Sequence, residues 1–204
     1  MSIVTYNNRS IANISAIPGA AKSLTLIKTL TASSSATLSF VDGSDDVVLD
    51  STYPIYMFKF INIHPATNNV KFQFNLTTDG TNFNVTKTST YFAAYHSEAD
   101  DAGLAYSTGS DLAQSTSDQP IAEDVGSDND QAPSGSLFLY NPSSTTFVKH
   151  YLATMSNSQQ TDYSQNIFVA GYGNTTSAIT GVRFKFASGN IDAGTIKLYG
   201  LKDS

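Results

Sequence analysis

The chain has 204 residues, of which 40% are hydrophobic and only 14% are charged, and its net charge is −6. This hydrophobic content is that of a folded protein and excludes a largely disordered one. The absence of cysteine excludes disulfides and zinc–thiolate sites. Eleven basic residues with no basic cluster argue against nucleic-acid binding, and no apolar run of membrane-spanning length exists.

Residues 1–22 are predicted to form an N-terminal arm, because Pro18 and Gly19 interrupt any strand pattern. The segment lacks the basic and apolar regions of a signal peptide, which predicts synthesis in a cytoplasm. We expect its branched aliphatic side chains to bind a partner protein or to cover an edge of their own domain. These candidate partner-binding residues are Ile3, Val4, Ile11, Ile14 and Ile17.

Residues 23–204 are predicted to form one β-sandwich domain. Leu24, Leu26 and Leu30 share one parity, which indicates a strand with a single apolar face. The stretch from Ile55 to Ile61 is apolar on both faces, which is typical of a strand buried between two layers, either in a sandwich interior or under an arm.

The next strand alternates regularly, with Val70, Phe72, Phe74 and Leu76 directed inward and Lys71, Gln73 and Asn75 directed outward. It is followed by the sequence "TTDGTN", in which Asp79-Gly80 supplies the backbone positions of a tight turn. We therefore predict a hairpin whose return strand starts at Phe83 and Val85.

The interval between Lys87 and Lys149 contains no Lys or Arg and holds nine of the 17 acidic residues. Residues 107–136 have scarcely any apolar periodicity. This pattern predicts a long acidic loop excursion at about 97–135, and a loop of that length in a compact domain is usually functional or mobile.

Strand-like segments resume at "SLFLYNP" and continue through "GTIKLYG", so that about eight to ten strands and no helix are expected. Even strand spacing without helices predicts an all-β fold, namely a two-sheet, jelly-roll-like β-sandwich. The predicted core includes seven apolar residues: Phe58, Phe60, Phe72, Phe74, Phe184, Phe186 and Leu198.

Few residues have spacings that indicate chemistry. His64, His96 and His150 are scattered, so we interpret them as hydrogen-bonding residues in strands or at strand ends and not as metal ligands. The acidic clusters at 42–46 and 123–130 are interpreted as solvated turns, with calcium binding by the second left open. No nucleophile elbow or phosphate-binding loop is present. We therefore expect no enzyme activity, cofactor or metal ion.

Five blocks in a fixed order carry a resemblance to a known family. They are "LTLIKTLTASSSATLSF", "FKFINIHPATNNVKFQF", "TTDGTNFNVTKTSTYFAAYHSE", "LFLYNPSSTTFVKHY" and "GYGNTTSAITGVRFKFASGNIDAGTIKLYGLK". Together they resemble virion structural proteins of marine tailed bacteriophages, and the resemblance covers about Leu24 to Lys202. It implies a β-sandwich component of the virion, made in the host cytoplasm, and it brings no catalytic motif.

The resemblance implies a non-enzymatic structural accessory protein of the particle. A capsid decoration or cement protein is favoured over a tail or fibre component, because the chain lacks the length of a fibre shaft. Its expected partners are other virion proteins and further copies of itself. We expect a trimer, since accessory proteins sit on symmetric positions of the particle. The alternative is a module that binds a host-surface receptor or glycan through the 97–135 region.

Overall fold

A computed structural model describes residues 24–202, which contain twelve β-strands and no helix. The predicted all-β fold is confirmed. The strands are β1 (Leu24–Thr31), β2 (Leu38–Val41), β3 (Ile55–Pro65), β4 (Val70–Thr77), β5 (Lys87–Ser97), β6 (Ala102–Tyr106), β7 (Gln119–Val125), β8 (Ser134–Tyr140), β9 (Lys149–Ser158), β10 (Tyr163–Gly173), β11 (Gly181–Phe186) and β12 (Ile191–Leu201).

The strands form two antiparallel sheets. The large sheet has the order β1-β12-β3-β8-β9-β10-β5-β6, and the small sheet has the order β2-β11-β4-β7. Eight strands pair in a nested series, β1 with β12, β2 with β11, β3 with β8 and β4 with β7. The remaining strands pair as β5–β6 and β9–β10, and they join each other through β5 and β10. These insertions double the width of the large sheet.

The two sheets pack together through phenylalanine rings. The ring of Phe184 on β11 lies 5.2 Å from that of Phe58 and 5.1 Å from that of Phe60, both on β3. Phe72 on β4 lies 5.4 Å from Phe60 in an edge-to-face arrangement, which aromatic pairs favour. All seven predicted core residues are at most 1% exposed, so this prediction is confirmed.

The predicted hairpin after β4 is wrong, although its turn is present. Gly80 has a φ of +79°, and the carboxylate of Asp79 accepts hydrogen bonds from the backbone N–H groups of Thr81 and Asn82 at 2.9 and 2.7 Å. The chain then crosses to the large sheet, where β5 begins at Lys87. One edge of β4 pairs with β11, and the other pairs with β7 as far as Phe74. The returning chain therefore forms no strand here, although the N–H of Val85 donates to the carbonyl oxygen of Leu76 at 3.3 Å.

The predicted loop excursion at 97–135 is also wrong as a single loop, because the interval contains β6 and β7. Strand β7 is short, and Pro120 near its start obscures the strand pattern. Proline is tolerated here because β7 is an edge strand, where a missing N–H costs no ladder bond. Ile121 and Ala122 of this strand are fully buried.

Strand β1 departs from its predicted single face. Its pairing with β12 shifts between Leu26 and Lys28, and such a bulge reverses the parity of the residues that follow. Leu24 and Leu26 consequently lie exposed, while Leu30 packs against the core.

Candidate functional site

The main candidate site is the outer face of the large sheet, which is the face turned away from the small sheet. Large apolar side chains are exposed on it, although a free surface normally favours polar residues. Leu104 is 73% exposed, Tyr106 is 52%, Leu26 is 51% and Leu152 is 41%. Single exposed apolar residues are ordinary, whereas a continuous set marks an interaction surface.

Strand register makes this set continuous. Residues that pair directly across antiparallel strands point to the same face, and diagonal neighbours on that face are still within reach of large side chains. One apolar residue from each of the eight strands lies in a band across the sheet. Its members pair directly except between β9 and β10, where Leu152 pairs with Ala170 and Phe168 is the diagonal neighbour. We call this band the apolar stripe. In strand order it consists of Leu26, Tyr199, Met57, Phe138, Leu152, Phe168, Phe92 and Tyr106.

The stripe explains the two-faced apolar pattern of β3. That pattern predicted burial between two layers, either in a sandwich interior or under an arm. The face with Tyr56, Phe58 and Phe60 is buried in the sandwich, whereas cover of the other face by the 1–22 arm lies outside the described residues and stays a prediction. The opposite face carries Met57, which belongs to the stripe, and Ile61, which is exposed. The sequence signal therefore reflected a core face and an apolar surface on the same strand.

Two shallow hollows interrupt the outer face. One has a volume of about 330 Å³ and lies over Ala170, between His150 and Tyr172. The other has a volume of about 420 Å³ and lies between Met57 and Ser136. Small residues on neighbouring strands create both hollows, and a partner surface can insert side chains into them.

The dimensions of the outer face suit a protein partner. Eight strands at a spacing of about 4.8 Å give a width of roughly 34 Å. A standard interface covers about 800 Å² on each partner, which a face of this width and ordinary strand length provides. The rings of Phe92 and Phe168 stack with a centroid distance of 5.2 Å, so that part of the stripe is already ordered.

A second candidate is a polar cleft of about 690 Å³ at the ends of β5, β9 and β10. Four carboxylates line it, from Glu98, Asp100, Asp130 and Asp162, together with several serine hydroxyls. His96 Nε2 lies 3.3 Å from Asp100 Oδ1 at the rim. Hydroxyl and carboxylate groups of this kind hydrogen-bond polyhydroxylated ligands such as sugars.

The histidines lie at separate positions on the large sheet. His64 is near the end of β3, where its Nε2 is 3.2 Å from the carbonyl oxygen of Asp128. His150 is exposed on β9 beside Tyr172. In the part of the chain from 24 to 202, no group of three or more His, Asp or Glu side chains could hold a metal ion.

The acidic clusters make internal hydrogen bonds. Asp42 Oδ1 accepts the backbone N–H of Leu49 at 2.9 Å. Glu123 accepts hydrogen bonds from the hydroxyls of Ser107 and Ser110. Asp124 accepts one from Gln159 Nε2 at 2.9 Å. These carboxylates thus stabilise turns and strand ends.

Sequence reasoning missed a polar cluster at the 107–118 segment, of which two members are buried and two are partly buried. It consists of Asn75, Lys87, Asp118 and Arg183. Asn75 was predicted to face solvent, yet it is 2% exposed. The segment lies across the outer side of the small sheet and covers it, since Asn75 Nδ2 donates to Thr116 O and to Asp118 Oδ1, both at 3.0 Å. The apolar periodicity of the sequence does not indicate that residues 107–118 cover the small sheet.

The predicted partner-binding residues Ile3, Val4, Ile11, Ile14 and Ile17 lie outside the described residues, and their role stays a prediction. Within residues 24–202, no helix could span a membrane. Comparisons with family models, curated proteins and solved structures found no match to this chain.

Proposed function

We propose that this chain is a non-enzymatic structural accessory protein of a bacteriophage virion, attached to the particle through its apolar stripe. The observation that carries the proposal is the band of apolar residues on all eight strands, on a sheet face that no other part of residues 24–202 covers. The resemblance of the five sequence blocks to virion structural proteins supplies the kind of particle. Within it, a capsid decoration or cement position is preferred to a tail or fibre position.

The strand order supports a jelly-roll frame for this protein. In a jelly roll, eight strands form two Greek keys in two packed sheets, an architecture common in viral capsid domains. The nested pairs β1–β12, β2–β11, β3–β8 and β4–β7 fit that description. The inserted strands β5, β6, β9 and β10 then serve to widen the sheet that bears the stripe.

We assign the stripe to a different virion protein and not to a second copy of this chain. A face that binds itself generates a two-fold pair, whereas we expect a trimer on a symmetric position of the particle. Trimer contacts would then lie elsewhere, and the outer face would remain available to the particle.

Antibody labelling of intact particles tests the proposal. Purified particles of a phage that encodes this chain are incubated with gold-labelled antibody against the folded protein and imaged. We expect label at regular positions on the head. Label on the tail would move the protein to a tail position, and label absent from particles but present in the soluble lysate would contradict a virion role.

A receptor- or glycan-binding role is the second candidate, and the polar cleft favours it. Tyr163 at the cleft provides an aromatic ring, and its hydroxyl lies 3.2 Å from Asp101 Oδ2. Titration with oligosaccharides from the host surface, followed by calorimetry, tests this role. Saturable binding that Tyr163→Ala abolishes would support it, and absence of binding would leave only the structural role.

A further inference from the structure

The side chains of Lys87 and Asn75 meet inside the molecule. Lys87 Nζ lies 2.6 Å from Asn75 Oδ1, and the two residues are 0% and 2% exposed. We propose that they condense after folding into an intramolecular isopeptide bond, which joins β4 of the small sheet to β5 of the large sheet. This inference is independent of the proposed virion role.

Lys87 has the surroundings of a nucleophilic amine. Its second hydrogen-bond partner is the carbonyl oxygen of Val85 at 2.7 Å, so that no carboxylate holds it directly as an ammonium ion. Burial lowers the pKa of Lys87 to about 8. The positive charge of Arg183 lowers this pKa further, and the negative charge of Asp118 partly offsets the decrease. A neutral amine, which is the form that attacks a carbonyl carbon, is therefore populated near neutral pH.

Asn75 is held as an activated electrophile. Its Oδ1 also accepts the backbone N–H of Leu76 at 2.9 Å, and a fixed donor at this oxygen stabilises the negative charge that develops during attack. Its Nδ2, the leaving nitrogen, donates to the carboxylate of Asp118 at 3.0 Å. The carbonyl and the leaving group thus each have a dedicated partner.

The reaction balances without any other reactant. The lone pair of neutral Nζ forms a bond to Cγ of Asn75, and the electrons of the carbonyl move to Oδ1. Once Nζ is bonded to Cγ, it lies on the same carbon as Nδ2, which already donates to the carboxylate of Asp118. That carboxylate then takes one proton from Nζ and gives it to Nδ2. The carbonyl re-forms as the Cγ–Nδ2 bond breaks, and ammonia leaves.

Asp118 is fixed by its neighbours. Arg183 Nη2 donates to Asp118 Oδ1 at 3.0 Å, and the ring of Phe83 lies 4.8 Å from the guanidinium carbon. Holding reacting groups in contact in this way replaces a bimolecular encounter and accelerates attack by a large factor. Burial of Lys87 and Asn75 also limits competing hydrolysis at the reacting carbonyl.

Lys149 provides the contrast. It is also fully buried, but its Nζ contacts only backbone carbonyl oxygens, from Phe147 at 2.7 Å, Thr176 at 3.4 Å and Thr175 at 3.5 Å. No side-chain amide is bound to it, so Lys149 has no partner for condensation. It is the matched control for Lys87.

Mass spectrometry of the purified native chain tests the bond. We expect the intact mass to be lower than the sequence mass by one ammonia. Trypsin cannot cleave after a lysine whose Nζ is acylated. Since the sequence has no Lys or Arg between Lys71 and Lys87 or between Lys87 and Lys149, digestion should give one peptide 72–149 in place of 72–87 and 88–149.

Three variants assign the chemistry. Lys87→Met should restore the full mass, and Lys149→Met should keep the ammonia deficit. Asp118→Ala, with both bonding residues present, should slow bond formation by at least about 100-fold, the usual contribution of a positioned acid–base group. Should the Lys87 or Asp118 variant fail to fold, the peptide map of the native chain still decides.

The opposing outcomes are distinct. A native chain of full sequence mass that yields peptides 72–87 and 88–149 would overturn the proposal. An ammonia deficit that persists in Lys87→Met would also overturn it, because succinimide formation at an asparagine gives the same mass change. Neither result would bear on the virion role.

Discussion

Two lysines are fully buried, and they lie opposite the same residue. Lys87 on β5 and Lys149 on β9 both pair with Gly173 on the intervening strand β10. A buried ammonium group is costly unless hydrogen bonds replace its hydration. Lys149 Nζ donates hydrogen bonds to three backbone carbonyl oxygens. Lys87 Nζ donates to one backbone carbonyl oxygen and to the side-chain amide oxygen of Asn75. The surroundings of Lys87 favour the condensation proposed above, whereas those of Lys149 favour a structural role.

The first prediction concerns Phe72, which is fully buried and contacts the rings of Phe60 and Phe186. Phe72→Ala should lower the free energy of unfolding by about 3–5 kcal/mol, since it leaves a cavity between the sheets. Chemical denaturation measures the loss. Phe147→Ala, at an exposed ring, should change stability little, and equal effects in the two variants would contradict the packing.

The second prediction concerns alkaline pH. Burial raises the pKa of the Tyr56, Tyr91 and Tyr151 hydroxyls in the folded chain. Unfolded tyrosines ionise near pH 10, so the stability that these residues contribute is present below that pH and is lost as pH rises above it. The pKa of Lys87 is lowered to about 8 in the folded chain. If its amine is free, Lys87 therefore makes the free energy of unfolding rise with pH between about 8 and 10.5.

Denaturation midpoints measured above pH 10.5 check the tyrosine effect. They should fall steadily with pH, and tyrosinate absorbance should appear together with unfolding. Tyrosinate absorbance from all eleven tyrosines in a chain that is still folded would contradict the prediction.

At the scale of elements, irregularities set the direction of side chains. The pairing of β12 with β3 shifts on both sides of Ala193. Gly194 allows this, because its φ is +116° and a Cβ there would lie 2.4 Å from the carbonyl oxygen of Asn62. Beyond the shift, Ile196 and Leu198 point into the core.

The third prediction is that Gly194→Ala destabilises the chain by more than about 1 kcal/mol, since alanine is strained at this φ and collides with β3. Thermal unfolding measures the change. Gly109→Ala is the control, because a Cβ at Gly109 meets nothing within 4 Å, and surface changes of this kind stay within about 0.5 kcal/mol. A stable Gly194→Ala variant would contradict the described bulge.

At the scale of the whole molecule, one sheet is twice as wide as the other. The small sheet is covered on its outer side by the 107–118 segment through Lys71, Asn75 and Arg183. The large sheet instead exposes the apolar stripe. This asymmetry gives the protein one polar, covered side and one side with exposed apolar residues, and the second side is the one that we propose attaches to the particle.

The fourth prediction uses Leu152 at the centre of the stripe. Leu152→Glu should leave folding intact but reduce incorporation into particles at least about tenfold, because burying a leucine contributes about 1.5–3 kcal/mol and the new charge opposes burial. Quantitative blotting of purified particles measures incorporation. Phe147→Glu is the matched control, since Phe147 is exposed in the loop between β8 and β9.

Both variants should keep the oligomeric state of the unchanged protein in sedimentation experiments, for which we expect a trimer, if the stripe binds a different protein. Loss of the trimer in Leu152→Glu alone would instead assign the stripe to self-association. Equal incorporation of the two variants would contradict docking through this face.

The sequence by itself determined the all-β class and the inner residues. Alternation of the kind seen in Val70–Leu76 is a local property, because successive residues of any strand point to opposite sides. For that reason Phe72 and Phe74 could be placed in the core without knowing which strands would flank them.

Only the tertiary structure decided which strands pair and which sheet face is left exposed among residues 24–202. Because β4 pairs with β11 and β7, the chain after the Asp79-Gly80 turn crosses to the large sheet and does not form a hairpin. The bulge in β1 leaves Leu26 exposed. The contact of Lys87 with Asn75 joins a strand of the large sheet to a strand of the small sheet. It lies beneath the 107–118 segment, which has no strand pattern. Such contacts depend on how distant elements pack, which no local period in the sequence records.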